Sequence, residues 1–435
     1  MLLPGDADYD RARIPFNGLI DRRPAVIARC VGADDIATSF AFARDRGLEV
    51  AVRGGGHNPA GHCVVDDGLV IDLSRMRRVD VDPEARIARA DGGSTWLDFD
   101  AATQAFGLAT PGGVVGTTGV CGLTLGGGIG HLTAQYGLTC DTLVGAELVT
   151  PGGQVVRASS DENPELLWGL RGGGGNFGFA TRLDFLLQPI ETVVGGRLAF
   201  DARGAREALR RFRDVAASSP RDLSCQAEIF VDDEIRPLVV VYPCYTGAAA
   251  DPGELQALRS GPGLVDDTTQ VRSFLDQQAL FDADYGRLRR YWKGHFVREL
   301  SDELIEVLLE RVVALGRSPG AILIESLHGA PKDDGRDSAL GWRRAAFNVS
   351  ATATWEPAAL DDEHIDWARQ TAAAIERWSF NGGGYANYMA PDEPIERVRA
   401  SFGDEAFDRL QALKRRYDRD NVLRRNQNIP PAAAD

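Results

Sequence analysis

Apolar positions in the first 190 residues come in short runs rather than long helical stripes. "AVIARCV" (25–31), "LEVAVRG" (48–54) and "GLVIDL" (68–73) read as strands. Between the first two, "ADDIATSFAFARDRG" (33–47) reads as a helix opened by acids that favour its N-terminal dipole. "ARIARA" (85–90) and "GAELVT" (145–150) are further strands, and the second turns through "PGG" into "QVVRAS" as a hairpin. From about residue 195 the period changes. "QAEIFV", "RPLVVVY", "AILIESLHG" and "AAFNVSATATW" alternate, which predicts antiparallel strands with one polar face. Amphipathic helices are expected between them at about 204–217, 301–315 and 362–379. The tail carries one more, with Phe407, Leu410, Leu413 and Tyr417 on one face, and closes on "RRNQNIPP". There is no internal repeat and no low-complexity linker.

A chain of 435 residues is long for one core, so two domains are expected. An apolar content of 44% with 26% charged residues is that of a soluble globular protein. The formal charge of -15 argues against a nucleic-acid partner, which needs clustered Lys and Arg. The basic runs "RRFR" (210–213) and "KRR" (414–416) lie in helix-like stretches beside acids and read as solvated faces. No apolar run approaches the roughly 20 residues of a membrane helix, and the N-terminus lacks a signal-like run. The six cysteines, Cys30, Cys63, Cys121, Cys140, Cys225 and Cys244, form no CxxC pair. Free thiols in a cytoplasmic enzyme with no metal site are therefore expected.

Glycine crowds 54–61, 112–130 and 172–178, then thins until "NGGGY" (381–385). The third cluster contains "GGGNFG" (173–178), which fits the dinucleotide pattern GxGxxG, but that pattern needs a strand before it and a helix after it. Here "NPELLWGLR" precedes as a helix and "FATRLDFLL" follows as a strand, so a Rossmann site is not expected. The alternative is a pyrophosphate held by loops, whose successive N–H groups form an anion nest. "RGGGHN" and "TTGVCGLTLGGGIG" could both supply such donors, yet phosphate alone does not explain a loop that ends in His57.

Four stretches in order resemble the FAD-linked oxidases of the vanillyl-alcohol oxidase (PCMH-type FAD-binding) superfamily, closest to its berberine-bridge-enzyme-like branch. They are "RGGGHNPAGH" followed by "GLVIDLSRM", "PGGVVGTTGVCGLTLGGGIGHLTAQYGLTCD" (111–141), "ENPELLWGLRGGGGNFGFATRLDF" (162–185), and "YANY" (385–388) with "YDRDNVLRRNQNIPP" (417–431). The resemblance implies an α+β fold of two domains sharing one FAD. Residues 1–190 would bind the cofactor and 191–378 would form an antiparallel-sheet substrate domain. Residues 379–435 would return to the first domain, which places the active site in the cleft between the sheets. It implies further that His57 bonds to the flavin ring, while Gly54, Gly55 and Gly56 let the backbone close on the pyrophosphate. The cofactor contacts it carries over are Arg53, Asn58, Gly61, Gly113, Thr117, Thr118, Gly119, Cys121, Gly122, Leu125, Gly128, Ile129, Gly130, Gly178, Phe179, Asn387, Asn426 and Asn428. His62 and His131 read as polar loop residues.

Some members of this branch attach FAD a second time, through a cysteine eleven positions before the first glycine of the GGG turn. Counting back eleven from Gly126 gives Val115, not a thiol, so no cysteinyl bond is expected and Cys121 reads as a small filler against the flavin. The same count puts Thr118 where relatives carry a residue over the oxygen-reactive edge of the flavin; the resemblance implies that valine there admits oxygen and leucine blocks it, and threonine has nearly valine's shape. In this branch the tyrosines of "YANY" reach the substrate side, so Tyr388 and then Tyr385 are the candidate bases; the alternative is that either only packs. A phenol titrates near 10 and needs a partner to act at neutral pH. Glu325, Asp284 and Glu228 are the candidates for it. The expected activity is oxidation of a small-molecule alcohol, sugar or secondary metabolite, with oxygen reduced to hydrogen peroxide. A dehydrogenase using another acceptor and a silent flavin carrier are the alternatives. "YWKGHF" (291–296) and "ILIESLHG" are candidate walls of the substrate chamber.

Overall fold

The first sheet holds three parallel strands, with Leu69–Asp72 between Val26–Arg29 and Val50–Arg53 and Leu69 level with both Val26 and Val50. The structure, a computed structural model, describes residues 1–282 and 287–433. A parallel neighbour cannot be reached by a hairpin, and the helix Ala33–Asp45 is the crossover, burying Ile36, Phe40 and Ala43 against this sheet. A second sheet of five antiparallel strands runs Val79–Asp82, Ile87–Asp91, Phe179–Leu186, Leu143–Val149, Val155–Ser159. Its last pair is the expected hairpin, with Val149 opposite Val155. The third glycine cluster follows the helix Pro164–Leu170 and feeds the middle strand of this sheet. It therefore opens no helix, as the order of periods indicated.

The middle of the chain forms a nine-stranded sheet among the described residues. Its centre is Leu223–Val231 between Pro237–Tyr245 and Ala321–Ser326, and Phe347–Trp355 joins the latter to Arg289–Val297 at the edge. Alternation sorts its two faces. Ala227, Ile229, Ile322, Ile324, Val349 and Ala351 pack into one core with the helices Ala205–Ser218, Asp302–Val313 and Asp361–Ile375. The opposite face carries Gln226, Glu228, Glu325, Asn348 and Trp292, and it faces the first domain. "YWKGHF" is thus an edge strand, which its short pattern did not declare.

The chain then returns. The helices Ile395–Phe402 and Asp404–Tyr417 bury Val398, Phe402, Phe407, Leu410 and Leu413 among Trp168, Phe177 and the five-stranded sheet. The basic run at 414–416 departs from the solvated face expected of it. Lys414 is fully buried and pairs with Asp418 at 2.7 Å, while its ammonium also donates to the carbonyls of Asn176 and Leu423. A buried lysine is tolerated because every proton has an acceptor, and those acceptors tie the last segment to the third glycine loop. Arg210 and Arg213, by contrast, reach Asp302 at the rim.

Asn17 joins the two halves. Its amide donates to the carbonyls of Pro59 and Arg290, and its oxygen accepts from the Arg290 N–H. The edge strand carrying Trp292 is thereby pinned to the loop that carries His57.

Candidate active site

One cavity of about 310 Å³ is shared by all these segments. It runs from Val50, Val52, Leu73 and Phe179 beside the parallel sheet to Trp292, Tyr385 and Tyr388 beneath the large sheet. Two glycine loops meet along it. A Cβ on Gly55 would lie 2.3 Å from the backbone nitrogen of Gly119, so only glycine allows that approach. Gly56 has φ +71°, the left-handed conformation that turns the chain and aims the next side chain.

That side chain is His57, whose ring opens into the cavity. Its Nε2 lies 2.7 Å from Thr117 Oγ1 and its Nδ1 lies 3.3 Å from Thr118 Oγ1. Phe16 stacks on the imidazole at 4.1 Å, and Arg290 lies over the far side of the Phe16 ring. Burial pushes the imidazole down to about 4, helped by the charge of Arg290. The ring is therefore neutral at physiological pH and keeps a nitrogen lone pair for bonding. Cys121, in the short helix Val120–Leu125, also lines the cavity, but burial, with the charge of Asp91, holds its thiol at about 12. It is not a thiolate nucleophile under ordinary conditions.

The two tyrosines that line the cavity differ. Tyr385 OH accepts from the Gly128 N–H at 3.1 Å and from the Asn387 amide at 3.0 Å, so it serves the GGG turn. Tyr388 OH donates to Glu325 Oε1 at 3.1 Å, and Glu325 Oε2 accepts from the Asn348 amide at 2.6 Å. Tyr385 and Trp292 hold the Tyr388 ring edge-on at 4.7 and 5.1 Å. Burial raises Glu325 to about 7; its bonds to Asn348 and Tyr388 oppose the rise and the charge of Glu228 adds to it. Burial, with the charge of Glu325, holds the Tyr388 phenol well above its ordinary value. Tyr388 is thus no resting phenolate. It can take a proton from a substrate only while passing its own to Glu325.

Of the residues singled out in the sequence, His57, Gly54, Gly55, Gly56, Asn58, Gly113, Thr118, Gly119, Cys121, Gly122, Leu125, Ile129, Gly178, Phe179, Asn387, Asn426, Tyr385 and Tyr388 line the cavity. Others stand behind it. Arg53 donates to the Ala12 carbonyl, Gly61 turns at φ +68° against Ile20, and Thr117 holds His57. Gly128 serves Tyr385, and Gly130 packs on the Gly112 carbonyl. Asn428 is not among the lining residues. His131 sits in a turn, as its sequence indicated, but is buried there, with Phe281 packed near its ring. Asp284 lies outside the described residues. Trp292 lines the cavity from the candidate wall "YWKGHF". Phe16, Leu423 and Arg425 were not singled out: Leu423 and Arg425 stood in the quoted tail segment, whereas Phe16 has no motif around it.

The donor set fits a dinucleotide cofactor. Of the lining residues, Arg425 Nε and Asn426 Oδ1 are buried without a partner among the described residues. Each such atom costs about 1–3 kcal/mol, a cost that a polar ligand threaded through this end would offset. The apolar lining from Val50 to Phe179 suits a flat ring, and the glycine backbone leaves room for the diphosphate.

Comparison with known proteins agrees. The family model described as FAD binding domain matches residues 24–159, and that described as berberine and berberine like matches 384–430. The chain is 32% identical to (R)-6-hydroxynicotine oxidase of Paenarthrobacter nicotinovorans over 99% of its length and 96% of the relative's. It is 30% identical to an FAD-linked oxidoreductase of Dictyostelium discoideum over 94% of its length and 89% of the relative's. The crystal structure of 6-hydroxy-D-nicotine oxidase from Arthrobacter nicotinovorans superposes with a TM-score of 0.91 at 31% identity, covering 99% of this chain and 97% of that one. A chitooligosaccharide oxidase shares the fold, with a TM-score of 0.89 at 22% identity over 99% and 97%. With such identity over nearly its whole length, the chain belongs to the berberine-bridge-like family of PCMH-type FAD oxidases and is an FAD-dependent oxidoreductase.

Proposed function

We propose that this protein is an oxidase of a small-molecule alcohol, sugar or secondary metabolite, carrying FAD bonded once, through His57. The observation that carries the reading is one cavity lined both by a neutral imidazole and by Tyr388, whose hydroxyl is paired with Glu325. Bound FAD would accept a hydride from the substrate and pass both electrons to oxygen, releasing hydrogen peroxide. The protein's part is to place the substrate's C–H bond and remove the neighbouring proton. Tyr388 accepts that proton as its own moves to the Glu325 carboxylate, so charge does not build up on the phenol. Asn348 holds Glu325 in line through the opposite oxygen. Tyr385 keeps Gly128 and Asn387 in place beneath the reacting centre.

Single attachment is supported by Cys121, whose thiol stays protonated, and by Val115, which stands where a cysteinyl link would need sulfur. The relatives' names support a small organic substrate without choosing it, since they include a hydroxynicotine oxidase and a chitooligosaccharide oxidase. The second reading, a dehydrogenase with another acceptor, is opposed by Thr118, which presents a small side chain to the cavity. The test is a screen of alcohols, sugars and amines for peroxide release. A hit should bleach the yellow protein without air and regain its colour when air is admitted. Bleaching that air does not reverse would establish the dehydrogenase instead.

A further inference from the structure

The polar face of the large sheet holds a second carboxylate that the proton relay does not use. Glu228 stands two residues along from Gln226, which is directly opposite Glu325 on the neighbouring strand. Alternation therefore puts Glu228 and Glu325 on the same face as diagonal neighbours. Trp292 belongs to that face too, because it pairs with Thr352, which pairs with Ala321, in step with Glu325. Since Trp292 lines the cavity, the face with both carboxylates is the one turned to the reacting end.

The hydrogen-bond partners of the two carboxylates are neutral, and the cation on the same face of the edge strand, Arg290, is directed to the carbonyls of Phe16 and Leu288 and to the Phe16 ring. Glu325 has Asn348 and Tyr388, with Tyr385 behind, and Glu228 has the Tyr242 hydroxyl, with Gln226 on the same strand. Among the described residues neither carboxylate forms an ion pair with Lys, Arg or His, whereas acids elsewhere in the chain are paired, as Asp141 is with Arg343 and Glu393 with Lys293. Buried carboxylates of like charge need either a shared proton or an external cation. Burial indeed holds each at about 7.

We propose that Glu228 and Glu325 together seat a cationic nitrogen of the substrate, so that the preferred substrates are amines. This deepens the oxidase reading and rests on it for the identity of the cavity. An alcohol or sugar needs no second carboxylate there. An ammonium group lets both carboxylates ionise together on binding, and it would hand one proton through Tyr388 to Glu325 before hydride leaves the adjacent carbon.

The test is calorimetric titration of the holoenzyme with benzylamine and with benzyl alcohol, a cation and its neutral isostere. At about pH 8.5 both carboxylates are ionised, and the ammonium should bind at least ~10-fold tighter than the alcohol. At about pH 5.5 the carboxylates are protonated, and the preference should shrink to within ~2-fold. Glu228→Gln keeps the volume, so alcohol binding should stay while most of the preference at high pH disappears. Equal affinity at high pH, a preference that does not change with pH, or one that survives Glu228→Gln would overturn the proposal. So would failure of millimolar benzylamine to bind. The wild-type pH series stands without the variant. Flavin retention after denaturation tests the cofactor reading separately, so failure of one is distinguishable from failure of the other.

Discussion

Replacing Tyr388 by Phe removes one hydroxyl and almost no volume. Flavin content should be unchanged, and anaerobic reduction by a true substrate should slow by ~10²–10⁴-fold; an unaltered rate would hand the role to Tyr385. Glu325 sets the pH dependence. Its value in the folded protein, about 7, lies above that of an ordinary carboxylate, so the acceptor is ionised only above about 7. The reduction rate should therefore rise through that point, and Glu325→Gln should remove the rising limb. The same shift acts on stability with the opposite sign. The folded state binds the proton more tightly than the unfolded one, so Glu325 costs nothing at low pH and works against folding increasingly as pH rises towards 7. Glu325→Gln should thus raise the thermal midpoint at pH 8 while it removes the rising limb, a result that equal midpoints would contradict. Of this site the tyrosines were legible because they sit in a short motif. Their partner was not. Glu325 and Glu228 look alike in the sequence, and only the register of the sheet brings Glu325 to Tyr388 from 63 residues away.

At the scale of elements, a buried ion pair helps tie the tail segment to the first domain. Lys414 and Asp418 are both shielded from solvent, and Lys414 also bonds the carbonyls of Asn176 and Leu423, next to lining residues of the cavity. Lys414→Met leaves Asp418 buried without its cation, which costs about 3–5 kcal/mol. We expect a lower thermal midpoint and faster proteolysis after Tyr417, with no change at the Tyr388 end; an unshifted midpoint would count against the clamp. This role was invisible in "KRR", because a basic run at a helix end reads as solvated until another segment closes over it. Strands were easier. Both the parallel runs and the alternating ones declared themselves by period, whereas the edge strand Arg289–Val297 mixes rings and charges and betrays no face.

At the scale of the molecule, the cavity takes its walls from the first glycine loops, the edge strand, "YANY" and the last residues. The glycine-rich and tail motifs made the first domain legible, because consecutive glycines cost backbone entropy that a close approach to a ligand can offset. The substrate side stayed illegible because it is built from one face of a sheet, whose residues are scattered along the chain and are ordinary one by one. Asn17 shows the same limit, since its clamp on Arg290 spans 273 residues. A ligand that touches all these segments should stabilise the whole chain rather than one lobe. The proposed reading turns on whether flavin is bonded to His57. The most direct measurement is acid precipitation of the yellow protein, followed by mapping of any flavin-bearing peptide. The account predicts that flavin stays with the chain on the peptide containing His57, that none is found on Cys121, and that His57→Ala releases it. Free flavin in the supernatant of the wild-type protein would contradict the account.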